Sequence, residues 1–287
     1  MSNLTVIVPC YNEEKSLPRV LPELTAFCQQ RDWHLVFVND GSTDNTKSVL
    51  ENYRDKIGII NHKLNRGYGG ALKSGIMASQ TEYSVFIDAD GQHELQDLDK
   101  LYKIITARDA DMVIGSRKGL PGNWFRSLGK KIIRGLAKAM MHVPVYDINS
   151  GMKIIRTKLG KRYLHLYPDS MAFSDIICLV FLYNRHLVLE EPIQINQRIA
   201  GTSTIGIRTA FQTIMEIVNI VTLFNPFRIF FPVAFILFLT GFLWGIRFIL
   251  AEKGVSVGSG MLLTMSVIVL LLGLIAEQLA AIRRKTD

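Results

Sequence analysis

Apolar and polar positions in the first part of the chain switch repeatedly between two periods. Leu4, Thr5, Val6, Ile7 and Val8 form a short run rich in β-branched residues, ended by Pro9, which predicts a buried strand. Leu17, Val20, Leu21, Leu24, Phe27 and Cys28 then recur at helical spacing. The exchange repeats, predicting strands over 34–39, 57–62, 83–87 and 112–114, with helices over 43–54, about 70–78 and 95–108 between them. A further strand is predicted over 187–195. Strand and helix in alternation predict an α/β domain with a mainly parallel sheet and helices on both faces. In such sheets a ligand lies outside the carboxyl ends of the strands.

The pattern changes further on. Phe211, Ile214, Met215, Val218 and Val221 share one side of a helix predicted over 207–224, which lies either in a membrane interface or in a core. Residues 229–250 hold a single charge, Arg247, and at ~1.5 Å per residue reach roughly 33 Å, enough to cross a bilayer. Residues 260–282 form a second such span, with Glu277 near its end. Arg228 precedes the first span and Arg283, Arg284 and Lys285 follow the second, whereas the linking loop holds one Lys. The positive-inside rule then puts both termini and the α/β domain in the cytoplasm. The expected division is a domain over 1–205, an amphipathic interfacial region over 206–225 and a two-helix anchor over 226–287.

Composition and charge follow the same split. The hydrophobic fraction is 48% of 287 residues, concentrated after Asn225, and the formal net charge is +8. Between Gly115 and Arg162 stand twelve Lys or Arg and one acid, Asp147. Such a stretch suits nucleic acid, lipid phosphate or a membrane surface, and the spans downstream favour lipid over nucleic acid. Cys10, Cys28 and Cys178 are widely spaced, form no metal pattern, and read as reduced, mostly buried thiols. The first apolar run is too short for a signal peptide.

The polar motifs fall at predicted strand ends. Asp88-Ala89-Asp90-Gly91-Gln92-His93 follows an apolar strand. Two carboxylates separated by one residue can share a hard cation, with Gln92 adding a neutral oxygen, and that cation would bridge a diphosphate. The same acids also suit the start of the next helix. Asp40-Gly41-Ser42-Thr43-Asp44 leaves Asp40 at a strand tip, either to accept hydrogen bonds from a nucleobase or to hold a turn. Pro9-Cys10-Tyr11-Asn12-Glu13 places an aromatic and an acid at the same rim. Asn65-Arg66-Gly67-Tyr68-Gly69-Gly70-Ala71 opens a helix and has room for a phosphate, but Leu72 stands where a dinucleotide fingerprint needs its third glycine.

Together with Gly115-Ser116-Arg117 and Asp147-Ile148-Asn149-Ser150-Gly151, these motifs resemble family 2 glycosyltransferases. Within them they look most like the dolichyl-phosphate mannose synthase and polyprenyl-phosphate glycosyltransferase group. The likeness runs from Leu4 to about Phe231. It implies a GT-A fold and inverting transfer of a hexose from a GDP- or UDP-linked sugar to a polyprenyl phosphate, such as undecaprenyl or dolichyl phosphate, with Mg²⁺ or Mn²⁺ as cofactor. It implies that Pro9, Tyr11, Glu13 and Asp40 hold the nucleoside, and that Asp88, Ala89, Asp90 and Gln92 meet the metal and diphosphate, with Asp88, Asp90 and Gln92 as metal ligands. Arg117, Arg126 and Lys130 would face the acceptor or donor phosphates, Arg126 and Lys130 from one helix face. Arg198 matches a basic residue on a hairpin that closes over the donor. The family often has Gly-x-Ser-Lys after that arginine, where this chain has Gly201-Thr202-Ser203-Thr204. Asp90 and Asp147 are the catalytic candidates, Asp147 acting as a base, orienting a cation or holding its turn.

Other readings differ at named residues. Transfer to a sugar or glycolipid hydroxyl would need a base. A nucleotidyltransferase would need a glycine-rich loop with Arg and Lys where Tyr11, Asn12 and Glu13 stand. A membrane scaffold leaves the strand-end motifs without a reason. Self-association into a homo-oligomer stays open.

Overall fold

The computed structural model describes residues 3–117, 144–194, 196, 215, 226–254 and 256–285. The chain divides into two compact units, Met1–Ile217 and Val218–Asp287.

The first unit is built on strands β1 (Leu4–Cys10), β2 (His34–Asn39), β3 (Gly58–Asn61), β4 (Tyr83–Phe86), β5 (Met112–Ser116), β6 (Lys153–Arg156) and β7 (Val188–Pro192). Its helices are α1 (Leu17–Gln29), α2 (Thr46–Glu51), α3 (Tyr68–Ala78), α4 (Leu95–Ala107), α5 (Thr157–Arg162) and α6 (Phe173–Tyr183). The strands form one sheet in the order β3-β2-β1-β4-β6-β5-β7. All neighbours run parallel except β6, which is antiparallel to both β4 and β5.

β1 sits between β2 and β4 and is buried on both faces, which is why it reads as a continuous apolar run rather than an alternation. On one face Val6, Val8, Phe37 and Val85 pack with Leu21 and Leu24 of α1 and Leu98 and Leu101 of α4. On the other, the missing side chain of Gly75 lets α3 approach Ile7, and Phe86 meets Phe173 of α6 edge-on with ring centroids 5.8 Å apart. The chain winds from β1 out to β3 and then crosses back to β4 on the other side of β1. The switch point, where a crevice opens outside the strand ends, therefore lies between β1 and β4.

Sequence and structure agree on the position of most elements. β2 covers the predicted 34–39, and α3, β4 and α4 lie within two residues of expectation. β1 continues two residues past its predicted end, through Pro9. α2 is much shorter than the predicted 43–54, because Thr43 and Asn45 turn their amides to Asn12 and Glu14 in the loop after β1. The antiparallel β6 and the helix α6 were not predicted. The helix predicted over 207–224 lies outside the described residues, apart from Met215.

The second unit contains α7 (Phe227–Leu250) and α8 (Val257–Lys285). Where they face each other the residues are small. A Cβ on Gly241 would stand 2.9 Å from Leu262 Cβ, and one on Gly273 2.6 Å from Phe230 Cβ. Ser266 donates a hydrogen bond to the Ala234 carbonyl at 2.9 Å. The large apolar side chains, including Phe235, Leu243, Met261 and Leu272, are exposed on the outside. Small residues inside and apolar residues outside are the arrangement of helices packed within lipid. Both helices are long and apolar enough to cross a membrane.

Candidate active site

The loops after β1 and β2 are stitched together. Asn12 holds a left-handed backbone at φ 57°, and its Oδ1 accepts from the Thr43 amide at 2.9 Å. The Glu13 amide donates to Thr46 Oγ1 at 2.8 Å. Asp44 accepts from the Thr46 and Glu14 amides. Burial pushes its carboxyl up, but these hydrogen bonds prevail and hold it below the usual carboxylate range. The stitching leaves Tyr11 exposed at the rim, with Pro9 and Glu13 half-buried beside it.

Asp40 is not at an open rim. It is buried, with Oδ1 accepting from the Arg66 amide at 2.9 Å and sharing a 2.6 Å contact with His62 Nδ1, while Oδ2 accepts from the Gly67 amide at 2.8 Å. The carboxylate folds the glycine-rich loop down onto the end of β2. That loop is also not a phosphate cradle as drawn from sequence. Gly67 and Gly69 stand where a Cβ would run into the backbone of Pro168 and Asp169, so these glycines serve close packing.

β4 runs into the two acids. Asp90 is buried, with Oδ1 accepting from the Gln92 amide at 3.1 Å, and Ala89 between the acids is buried too. The Asp88 side chain is 34% exposed, and its Oδ1 accepts from the Tyr68 hydroxyl at 3.0 Å. His93 Nε2 lies 3.7 Å from Asp88 Oδ2, an ion-pair distance rather than a hydrogen bond. Burial pushes the Asp88 carboxyl up, but His93, Tyr68 and the charge of Arg117 together bring it below the usual range, so Asp88 is ionised at neutral pH. Gln92 and Asn196 are joined by two hydrogen bonds. Among the described residues, no group of three or more His, Cys, Asp or Glu side chains forms a ready-made metal cage. Two carboxylates with an amide oxygen nearby suit a hard cation of the Mg²⁺ kind, which completes its shell with phosphate and water.

Because β6 runs antiparallel, the turn before it lies at the same edge of the sheet as the ends of β4 and β5. That turn carries Asp147. Arg117, just past β5, binds both Asp147 oxygens, from Nε to Oδ2 at 2.7 Å and from Nη2 to Oδ1 at 2.8 Å. Its Nη2 also reaches the Asn149 carbonyl at 2.8 Å. Burial pulls the Arg117 guanidinium down, but Asp147 raises it further, so the guanidinium stays charged. The Tyr146 and Asp147 amides bond Glu190 of β7. Below the turn, Asn149 donates to Asp175 of α6 at 2.9 Å, and Lys153 Nζ bonds the Ser150 carbonyl. Burial pushes the Asp175 carboxyl up and draws Lys153 down to about 8.

The structure thus gathers Pro9, Tyr11, Glu13, Asp88, Ala89, Asp90, Gln92, Arg117 and Asp147 at one sheet edge. Asp40, after the parallel strand β2, stands at the same edge with its carboxylate bonded to the neighbouring loop, and Arg117 is bonded to Asp147. Arg126, Lys130 and Arg198 lie outside the described residues. The basic stretch is less available than its count implied, since Lys153 is buried and Arg156 pairs with Glu82, Asp109 and Asp111. Tyr68, Asp175 and Lys153 escaped the sequence reading. A lone acid in the apolar run 173–183 was the one available signal for Asp175.

Residues 5–165 match glycosyl transferase family 2, and the chain belongs to that family of glycosyltransferases. Residues 225–282 match the GtrB C-terminal hairpin. A dolichyl-phosphate beta-glucosyltransferase of Dictyostelium discoideum is 35% identical over 241 residues, covering 76% of this chain and 73% of the relative. One of Drosophila melanogaster is 31% identical over 212 residues, and the match spans 66% of this chain and 65% of the relative's length. Among solved structures, glucosyl-3-phosphoglycerate synthase from Mycobacterium tuberculosis, in complex with Mn²⁺ and uridine-diphosphate-glucose, superposes with a TM-score of 0.60 at 16% identity. That match covers 77% of this chain and 79% of the other, and it shows the shared GT-A fold.

Proposed function

We propose that this protein transfers a hexose, with inversion, from a GDP- or UDP-linked sugar to a polyprenyl phosphate at the cytoplasmic face of a membrane. The relatives named for dolichyl-phosphate glucosyl transfer and the apolar hairpin support a lipid phosphate as acceptor.

The observation that carries the reading is the state of Asp147. It is the one acid between Gly115 and Arg162, and Arg117 binds both of its oxygens. A carboxylate so compensated is a poor base. A hydroxyl acceptor needs its proton removed as the new bond forms. A phosphate monoester, with a second pKa of about 6, is already a nucleophile at neutral pH. In this scheme an acceptor phosphate oxygen bonds the anomeric carbon as the bond to the donor diphosphate breaks, and the nucleoside diphosphate leaves with the electron pair. Asp88, Asp90 and Gln92 would hold a divalent cation, Mg²⁺ or Mn²⁺, that offsets the leaving diphosphate charge. Pro9, Tyr11 and Glu13 flank the nucleoside, and Arg126, Lys130 and Arg198 supply cations to the phosphates.

The test is a donor screen with the purified full chain, polyprenyl phosphate and Mg²⁺ or Mn²⁺, read by mass spectrometry of the lipid. Hexosyl-phosphoryl lipid should form, and free polyprenol should stay unmodified. Asp90→Asn should lose turnover while staying folded. The paired Arg126→Ala, Lys130→Ala variant should raise KM for the lipid phosphate far more than for the donor. Comparable transfer to a neutral hydroxyl, abolished by Asp147→Asn, would establish the hydroxyl-acceptor reading instead.

A further inference from the structure

Asp88 is held from three separate parts of the fold. The Tyr68 hydroxyl, at the start of α3, donates to Oδ1 at 3.0 Å. His93 Nε2 approaches Oδ2 at 3.7 Å. The turn before β6 closes the third side, where a Cβ on Gly151 would stand 2.6 Å from Oδ2. Ser174 of the buried helix α6 lies close to the Tyr68 hydroxyl. A tyrosine phenol is protonated at neutral pH, so it acts as a donor to the carboxylate. A carboxylate free to turn about its Cβ–Cγ bond presents its oxygens in many orientations. One pinned at Oδ1 presents Oδ2 in a single plane.

We propose that Tyr68 is a positioning residue that orients the Asp88 carboxylate for a divalent cation. The proposal rests on the metal-dependent reading above and deepens it. The glycine-rich motif thereby gains a task other than phosphate binding. Asp40 ties its Arg66 and Gly67 amides down, Gly67 and Gly69 seat it on residues 168–170, and the tyrosine between those glycines is delivered to the acid. Partners that orient a metal-bound ligand typically change metal affinity 10- to 100-fold when removed.

The experiment uses the full chain in detergent and reads Mn²⁺ binding directly by electron paramagnetic resonance, with UDP or GDP present. Tyr68→Phe keeps the ring and removes the hydroxyl. It should weaken Mn²⁺ binding by about tenfold or more, with nucleotide affinity without metal and melting temperature close to wild type. Ser174→Ala should shift Mn²⁺ affinity in the same direction by less, and it serves as the readout should Tyr68→Phe fold poorly. Wild-type Mn²⁺ affinity in both variants overturns the positioning role while leaving the metal reading intact. Failure of the wild-type chain to bind Mn²⁺ with either nucleotide overturns the metal reading, and the positioning role with it.

Discussion

Arg117 and Asp147, thirty residues apart, are joined by three hydrogen bonds: Nε to Oδ2 at 2.7 Å, Nη2 to Oδ1 at 2.8 Å, and the Arg117 amide to Oδ2 at 3.1 Å. Asp147 is 6% exposed and Arg117 27%, so solvent screens the pair only weakly. Removing one partner of such a pair leaves the other charge uncompensated, at about 3 kcal/mol. Asp147→Asn should therefore lower unfolding stability by about that amount, measured by denaturant titration in detergent. Adding Arg117→Met should cost little more, because the lost interaction is shared. Fully additive losses would refute the clasp.

Gly151 bears on the other acid. Its backbone lies against Asp88, and a methyl at Cβ would stand 2.6 Å from Oδ2. Gly151→Ala should displace the carboxylate and cut turnover about tenfold or more, the scale of losses when a metal ligand is misoriented. Melting should fall by no more than a few degrees. Normal kcat in this variant would show that Asp88 tolerates the displacement.

Lys153 gives a pH dependence with a defined sign. Burial lowers its ammonium to about 8 in the fold, whereas an unfolded chain keeps a lysine charged to about pH 10.4. Between those values the unfolded state binds the extra proton, so stability rises with pH. The increment is complete above about pH 10.4 and is lost as pH falls through about 8. Lys153→Met removes the titration. The melting-temperature difference, wild type minus variant, should grow in favour of wild type from about pH 8 to 10. A flat difference would show that the burial penalty on this lysine is relieved in solution.

The hairpin makes a separate prediction. The full chain should remain in membranes after alkaline carbonate washing, as two apolar spans require. Gly273→Leu forces a side chain against Phe230 and should lower melting in detergent by several degrees while leaving membrane retention unchanged. Release by the wash would mean that α7 and α8 are core helices.

What the sequence disclosed depended on how each residue is used. β2 and the two apolar helices were legible because their burial is periodic or continuous. β6 was hidden because it offers only Ile154 and Ile155 between Lys153 and Arg156, and basic ends argue against a central strand until Lys153 is seen buried. α6 was hidden for the opposite reason: it is buried nearly all round, so Phe173–Tyr183 shows no polar face to mark a helix. The acids after β4 were found because an apolar strand ending in two carboxylates is a local signal. Tyr68 was not, because its hydroxyl acquires meaning only when the start of α3 meets Asp88. The bonds of Asp40 were hidden for the same reason, the amides it accepts from being 26 and 27 residues away.

The reversal of β6 shortens the closure of the chain between β5 and β6. The chain leaves the sheet past β5 and re-enters it at β6, its direct antiparallel neighbour, on the same edge. The bonds from Arg117 to Asp147 draw the two ends of that excursion together. The entropy of closing a loop grows only logarithmically, about 0.6 kcal/mol for each doubling of length. The sheet therefore sets almost no limit on the length or content of what the clasp encloses.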